Sequence, residues 1–215
     1  MKKISLLMLA LSATPVLAAE EREWAPYTKI VEAVKLDKFH ALPMAERDKV
    51  ALFLTVKPQN KAIKAADVVL TVIHSGGRQP MTVRPDGRVN FVYNPKWLAE
   101  KAGLVINQAK GEKMDVGFGL DAVLPEGTQW NYNTLVGSVA QANALIKKEA
   151  GMLSVFAPKI KSVDLVFAKP AQVKIGARTL STDAKNRIRL TPEEALTKEN
   201  PLMVASERPL EATLE

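Results

Sequence analysis

The chain has 215 residues, of which 47% are apolar, with a formal net charge of +7 and no cysteine. An apolar fraction of this size predicts a folded globular protein rather than a disordered one. The lack of cysteine excludes a disulfide framework, a cysteine nucleophile and the lipidated cysteine of a bacterial lipoprotein.

The N-terminus has the pattern of a secretory signal. Lys2 and Lys3 precede an apolar run from Ile4 to Leu11, and small or aliphatic residues lie just before Ala19. This run is shorter than the roughly 20 apolar residues that cross a bilayer, and charges interrupt every later apolar run. We therefore expect residues 1–18 to be a cleaved signal peptide, and the mature chain to be periplasmic without a transmembrane segment.

The first part of the mature chain predicts a helix followed by strands. WAPYTKIVEAV, residues 24–34, has apolar residues at helical spacing. Later apolar runs rich in β-branched residues predict strands, and Pro85-Asp86-Gly87 predicts a hairpin turn. In order, the later elements are strands at 50–56 and 68–73, a hairpin at 81–91, a proline-started helix at 95–101, and strands at 104–108 and 114–124.

The same order of patterns recurs in the second part of the chain. WNYNTLVGSV, residues 130–139, matches the first helical segment in its tryptophan, tyrosine and aliphatic positions. We expect this helix to reach about residue 149, with Asn131 or Asn133 as its cap. The further elements are strands at 152–156 and 163–168, a hairpin loop at 182–186, a helix at 192–198, and strands at 202–206 and 210–215.

These colinear patterns predict an α+β fold built from two diverged tandem copies of one unit, each a helix packed with an antiparallel sheet. We place the first copy at residues 19–124, a short link at 125–129 and the second copy at 130–215. Because the link is short and its flanking strands are apolar, we expect the copies to pack together. A groove between them is then the place where a ligand would sit.

The residue patterns predict no catalytic, cofactor or metal site. His74 and Ser75 are neighbours on an extended segment, so their side chains point to opposite faces, and no acid completes a triad. The spacings HxH and HExxH and the calcium loop are missing. Gly117 and Gly119 resemble part of a nucleotide-binding fingerprint, but the third glycine and the helix are missing. We therefore expect these glycines to form a bulge or to allow close packing in a strand. We therefore predict that the protein is not an enzyme.

Two groups of residues are candidates for binding. Residues 147–189 carry ten basic and three acidic side chains, and the alternation in NRIRL turns its arginines outward on a strand whose hairpin partner should carry Arg178. Cations so placed bind phosphate or carboxylate groups, or they form a solvated sheet face that pairs with glutamates of the acidic tail. The anion-binding candidates are Arg178, Lys185, Arg187 and Arg189. The second group, at the helix starts of both copies, either lines the surface between the copies or fills the ends of their cores: Trp24, Tyr27, Trp130 and Tyr132.

With its signal sequence, the opening WAPYTKIVEAV and the hairpin PDGRVNF, the chain resembles exported proteobacterial proteins that share a domain of unknown function. The resemblance covers most of the mature chain in its general pattern. It implies residence in the periplasm and no particular activity.

The sequence favours a non-enzymatic periplasmic binding or envelope-associated protein, which contacts an anionic envelope polymer or a lipid headgroup through its basic sheet face. A module or inhibitor that binds a periplasmic protein is the alternative. A hydrolase built on carboxylates such as Asp115, Asp121 and Glu126 ranks last, because the sequence places no pair of them in one cleft. Nucleic acid is not expected as a partner of an exported chain without aromatic residues among its cations.

Overall fold

The computed structural model describes residues 21–150 and 159–215, apart from the side chains of Glu149 and Ala150. The expected signal peptide and the strand expected at 152–156 lie outside the described residues. Within those ranges the chain forms fourteen strands, six α-helices and two short 3-10 helices, and every strand pair is antiparallel. The expected α+β class is confirmed.

The elements follow the same order in the two halves of the chain. The first half consists of β1 Arg22–Pro26, α1 Tyr27–Ala33, α2 Leu36–Ala41, β2 Val50–Pro58, β3 Val69–His74, β4 Gly77–Thr82, β5 Arg88–Val89, α3 Pro95–Ala99, β6 Gly103–Ile106 and β7 Met114–Ala122. The second half consists of β8 Gln129–Asn131, α4 Tyr132–Leu135, α5 Gly137–Ala150, β9 Val163–Val166, β10 Gln172–Ile175, β11 Arg178–Ser181, β12 Arg187–Leu190, α6 Glu194–Glu199, β13 Leu202–Ala205 and β14 Glu211–Leu214.

The strands form three sheets. One four-stranded sheet in the first half has the order β1-β6-β3-β4, and one in the second half has the order β8-β13-β10-β11. The six-stranded sheet, β5-β2-β7-β14-β9-β12, takes three strands from each half and joins them where Thr213 pairs with Asp121. The halves therefore pack together around a shared sheet, while their origin in a tandem duplication stays a prediction.

A buried tyrosine makes the same pair of hydrogen bonds in each half. The Tyr27 hydroxyl donates to the Val92 carbonyl at 2.7 Å and accepts from the Asn94 amide at 2.9 Å. Tyr132 repeats this arrangement with the Thr191 carbonyl and with the amide two residues later, both at 3.2 Å. Each tyrosine thus ties the first helix of its half to the segment that leads into the short helix α3 or α6.

The expected start of each half is wrong. A short strand, β1 or β8, comes first, and the helix begins only at Tyr27 or Tyr132. In the first half, Pro26 favours an extended conformation at Ala25, which pairs with Leu104 of β6. In the second half, Asn131 is the N-cap residue by position, although its side chain makes no capping hydrogen bond.

The expected hairpin at 81–91 is also wrong beyond its turn. Gly87 has the positive φ of 89° for which glycine is suited, but the arms of the turn enter different sheets, because β4 pairs with β3 and β5 with β2. Only the bridge between Val83 and Val89 joins the arms. The second half diverges in the same way, so Arg178 does not lie on the strand that pairs with β12.

Each half has its own hydrophobic core between its four-stranded sheet, its helices and one face of the six-stranded sheet. A third and smaller cluster joins the halves. It contains the buried residues Val50, Ala142 and Leu145, and partly buried side chains from both halves pack against it. Among these is Leu120 of the central strand β7, so the joint lies over the middle of the shared sheet.

Candidate functional site

The site is built on the apolar face of the six-stranded sheet. Alternation along β2 buries Val50 and Leu54 on the face that the helices cover. The register of β2 with β7 places Leu120 opposite Leu52 and Phe118 opposite Leu54. Phe118 and Leu120 therefore share the apolar face.

The helices cover this face unequally. Helix α2 of the first half has six residues, whereas α5, at the same place in the element order of the second half, has fourteen. At a rise of about 1.5 Å per residue, α2 is shorter by about 12 Å. On the side of α2, the described residues leave the sheet partly uncovered, and Phe118 is 57% exposed although it lies on the apolar face.

The uncovered area forms a cavity of about 270 Å³ between the two halves, which we call the inter-half groove. Helix α2 forms one wall, α5 of the other half forms the opposite wall, and β2 and β7 form the floor. Among the residues that the structure describes, the lining is apolar except for one lysine, and it consists of Val34, Lys35, Phe39, Leu42, Leu52, Phe118, Leu120, Leu145 and Ile146.

An arginine lies beside the wall that α2 forms. The Arg47 guanidinium is 5.8 Å from the centre of the Phe39 ring, and its Nε donates a hydrogen bond to the Leu42 carbonyl at 3.2 Å. Next to it, His40 stacks on Tyr93 with ring centres 4.4 Å apart. Burial, assisted by the charge of Arg47, lowers the pKa of His40, so the imidazole is neutral near pH 7.

The predicted basic strand has the expected orientation. Ile188 and Leu190 are buried, while Arg187 and Arg189 point outward from β12. Arg189 donates two hydrogen bonds, at 2.8 and 2.7 Å, to the carboxylate of Asp164, which lies on the neighbouring strand β9. This arginine thus compensates a carboxylate that the sheet buries.

The other basic candidates lie elsewhere. Arg178 is on β11, in a different sheet from β12, and forms an ion pair with Glu193 at 2.5 Å. Lys185 lies in the turn before β12, where its amide donates to the Asp183 carboxylate at 2.8 Å. Two of the four candidate cations are therefore ion-paired, and the four belong to more than one sheet.

The four aromatic candidates pack in the two cores. Tyr27 is buried in the core of the first half, and Trp130 and Tyr132 are buried in the core of the second. Trp24 is partly buried against the first core. None of these four lines the inter-half groove.

His74 and Ser75 lie at a hairpin end without the geometry of a catalytic pair. The His74 Nδ1 atom accepts a hydrogen bond from the Gly76 amide at 3.1 Å, and its ring stacks on Trp97. The amide of Ser75 donates to Glu100 at 3.1 Å. Within residues 21–150 and 159–215, no group of three or more histidines and carboxylates could hold a metal ion, and no helix could span a membrane.

The sequence predicts that a groove between the halves would hold a ligand, but it does not reveal the residues that line the groove. One available signal is MDVGFGLDAVL, in which Phe118 and Leu120 alternate with glycine and aspartate. The glycines serve close packing, since a Cβ atom on Gly119 would lie 2.5 Å from the Phe53 ring on the opposite face. The partial exposure of Phe118 depends on the lengths of α2 and α5, which are distant from it in sequence. The alternation in MDVGFGLDAVL does not predict those lengths.

Fold and site together define an α+β protein of two packed halves with an apolar groove between them. A family model described as "Protein of unknown function (DUF2987)" matches residues 34–167, and the chain belongs to this family. The match covers more than half of the chain and includes the nine described residues that line the groove. Searches of curated proteins and of solved structures give no match.

Proposed function

We propose that the chain is a non-enzymatic binding protein of the bacterial cell envelope, and that it holds the hydrocarbon part of an amphipathic molecule in the inter-half groove. The observation that carries this proposal is the partial exposure of Phe118 inside an apolar cavity. Ligand pockets are mostly apolar and concave, and apolar area removed from water contributes about 25 cal/mol per Å².

The size of the cavity supports one hydrocarbon chain as the ligand. Its volume of about 270 Å³ lies just below the usual range of small-molecule pockets, which begins at roughly 300 Å³. The groove is bounded by two helices and a sheet, so it is a concave site rather than a flat interface of the size that a stable protein complex needs.

The N-terminal sequence supports a location where such molecules are abundant. Its charged start, apolar run and small residues before Ala19 are typical of exported chains. The envelope of a bacterium is rich in amphipathic lipids and their breakdown products. The basic strand supports an envelope polymer less well, because Arg178 and Arg189 are already ion-paired with Glu193 and Asp164.

The test is calorimetric titration of the mature protein with 1-decanol and decanoate, below the concentrations at which decanoate forms micelles. Phe118→Asp places a charge in the groove, and we expect it to weaken binding of both by at least about tenfold, as lost apolar burial implies. Leu210→Asp is the matched control, because Leu210 is 63% exposed and does not line the groove. Equal affinities for Phe118→Asp and the unmodified protein, or no binding of either molecule, would reject the proposal.

A further inference from the structure

We infer that the ligand of the inter-half groove carries an anionic head, and that Arg47 is the residue that selects it. This inference rests on the proposed function and adds the chemical class of the ligand. Arg47 contacts two residues of the groove wall, the ring of Phe39 and the carbonyl of Leu42. Its charge therefore lies beside the apolar cavity.

The guanidinium is held in place and still has free donors. Its Nε atom bonds to the Leu42 carbonyl, which fixes the orientation of the planar group. Among the residues that the structure describes, no carboxylate forms an ion pair with Arg47, and its two terminal nitrogens make no hydrogen bond. Two parallel donors of this kind suit a carboxylate or a phosphate, both of which accept bidentate hydrogen bonds.

Among the described residues, two cations border the groove. Lys35 lines it but already has an interaction of its own. Arg47 is therefore the cation whose donors an anionic head would meet. His40 is neutral near pH 7 because burial and Arg47 itself lower its pKa. Lys148 of α5 forms an ion pair with Glu46 at 2.7 Å, so its charge is compensated. Asp48, close in sequence, accepts a hydrogen bond from Gln141 at 2.7 Å. An apolar cavity beside an arginine that has no ion pair in the described part of the chain is complementary to a hydrocarbon chain that ends in an anion.

The experiment compares molecules that share one chain and differ in their head. Decanoate, decyl phosphate, 1-decanol and decylamine are titrated into the mature protein at low salt. We expect both anions to bind about tenfold more tightly than 1-decanol, and decylamine to bind more weakly than 1-decanol. The order of the two anions distinguishes a carboxylate ligand from a phosphate ligand.

Substitutions then identify the residue. Arg47→Gln should lower the affinity for both anions to about the affinity of the same variant for 1-decanol, and circular dichroism checks that the variant is folded. Arg47→Lys should keep part of the preference for anions. Arg187→Gln is the matched control, because it makes the same change of charge on the outward face of β12.

Three outcomes would overturn the inference. If all four molecules bind with equal affinity, the groove binds hydrocarbon but does not select an anion, so the proposed function stands and the inference fails. If Arg187→Gln rather than Arg47→Gln removes the preference, the anion binds at the basic strand. If no alkyl molecule binds, the proposed function and the inference fail together.

Discussion

Asp164 is the one charged residue in the described part of the chain that the fold buries fully, with 3% of its side chain exposed. Arg189, which pairs with it, is 62% exposed. Removing the arginine would leave a buried carboxylate without a compensating charge, which costs far more than the pair itself contributes. The Arg189–Asp164 pair therefore stabilises the sheet, and Arg189 is a weaker candidate for binding an anion.

We predict that Arg189→Gln lowers the free energy of unfolding, measured by urea denaturation at pH 7, by clearly more than a neutral surface substitution does. The control is Arg187→Gln on the same strand, since Arg187 is exposed and has no ion pair among the described residues. We expect a change within about 0.5 kcal/mol for this control. Equal losses in the two variants would contradict a structural role for the Arg189–Asp164 pair.

Asp121 makes the stability of the fold depend on pH. Burial raises the pKa of this carboxyl from 3.8 to about 6, Arg88 opposes the shift, and the nearby charge of Glu211 adds to it. The folded state therefore keeps the proton up to a higher pH than the unfolded chain does. The resulting stabilisation is fully present below about pH 4 and is lost as the pH rises through about 6.

We predict that Asp121→Asn removes this pH dependence. The free energy of unfolding of the unmodified protein, relative to that of the variant, should fall by up to about 3 kcal/mol between pH 4 and pH 7. Urea denaturation of both proteins across this range measures the difference. A constant difference, or one that grows with pH, would show that the ion pair with Arg88 outweighs burial.

Between elements, the tyrosine bonds are the clearest links, and the three tyrosines of the chain provide a controlled test. Tyr27→Phe and Tyr132→Phe would each leave a carbonyl and an amide without their partner. We expect each variant to lose about 1–2 kcal/mol of unfolding free energy, measured with urea. Tyr93→Phe should change it little, because among the described residues no hydrogen bond involves the Tyr93 hydroxyl. A similar loss in all three variants would point to ring packing rather than to the bonds.

How well a strand could be predicted from the sequence depends on how many of its apolar side chains are buried. Strands such as β2 and β12 alternate buried and exposed residues, and their positions follow from the sequence. β4 buries only Met81 among its six residues, so it has little apolar pattern. A turn such as that at Gly87 is visible in sequence, but whether its arms stay paired depends on which sheet each arm meets. The groove depends on such long-range arrangements, and only its position between the halves could be expected.

The whole molecule has two separate hydrophobic cores and one region of contact between the halves, which we call the joint. The joint contains the single register pair between β7 and β14, the small cluster around Leu145, and an ion pair between Arg84 of the first half and Glu211 of the second. The six-stranded sheet contributes to both cores. Unfolding of one half would therefore expose to water the apolar sheet face of the other half. We therefore expect the halves to unfold together.

The tryptophans make this coupling measurable. Trp24 and Trp97 pack in the first core and Trp130 in the second, and the chain has three tryptophans in all. Fluorescence of Trp130→Phe reports the first half, and fluorescence of the double variant Trp24→Phe, Trp97→Phe reports the second half. Within each variant, we predict the same urea midpoint by fluorescence and by circular dichroism, which reports both halves.

Adding Tyr132→Phe to both reporters separates true coupling from a coincidence of stabilities. This substitution destabilises the second half, because it removes the bonds that tie α4 to the segment before α6. In a coupled molecule the first-half reporter shifts to a lower urea midpoint as well, since each half completes the sheet on which the other packs. If only the Trp130 signal shifts, the halves are independent, and a groove with walls from both would not be rigid enough to select one ligand.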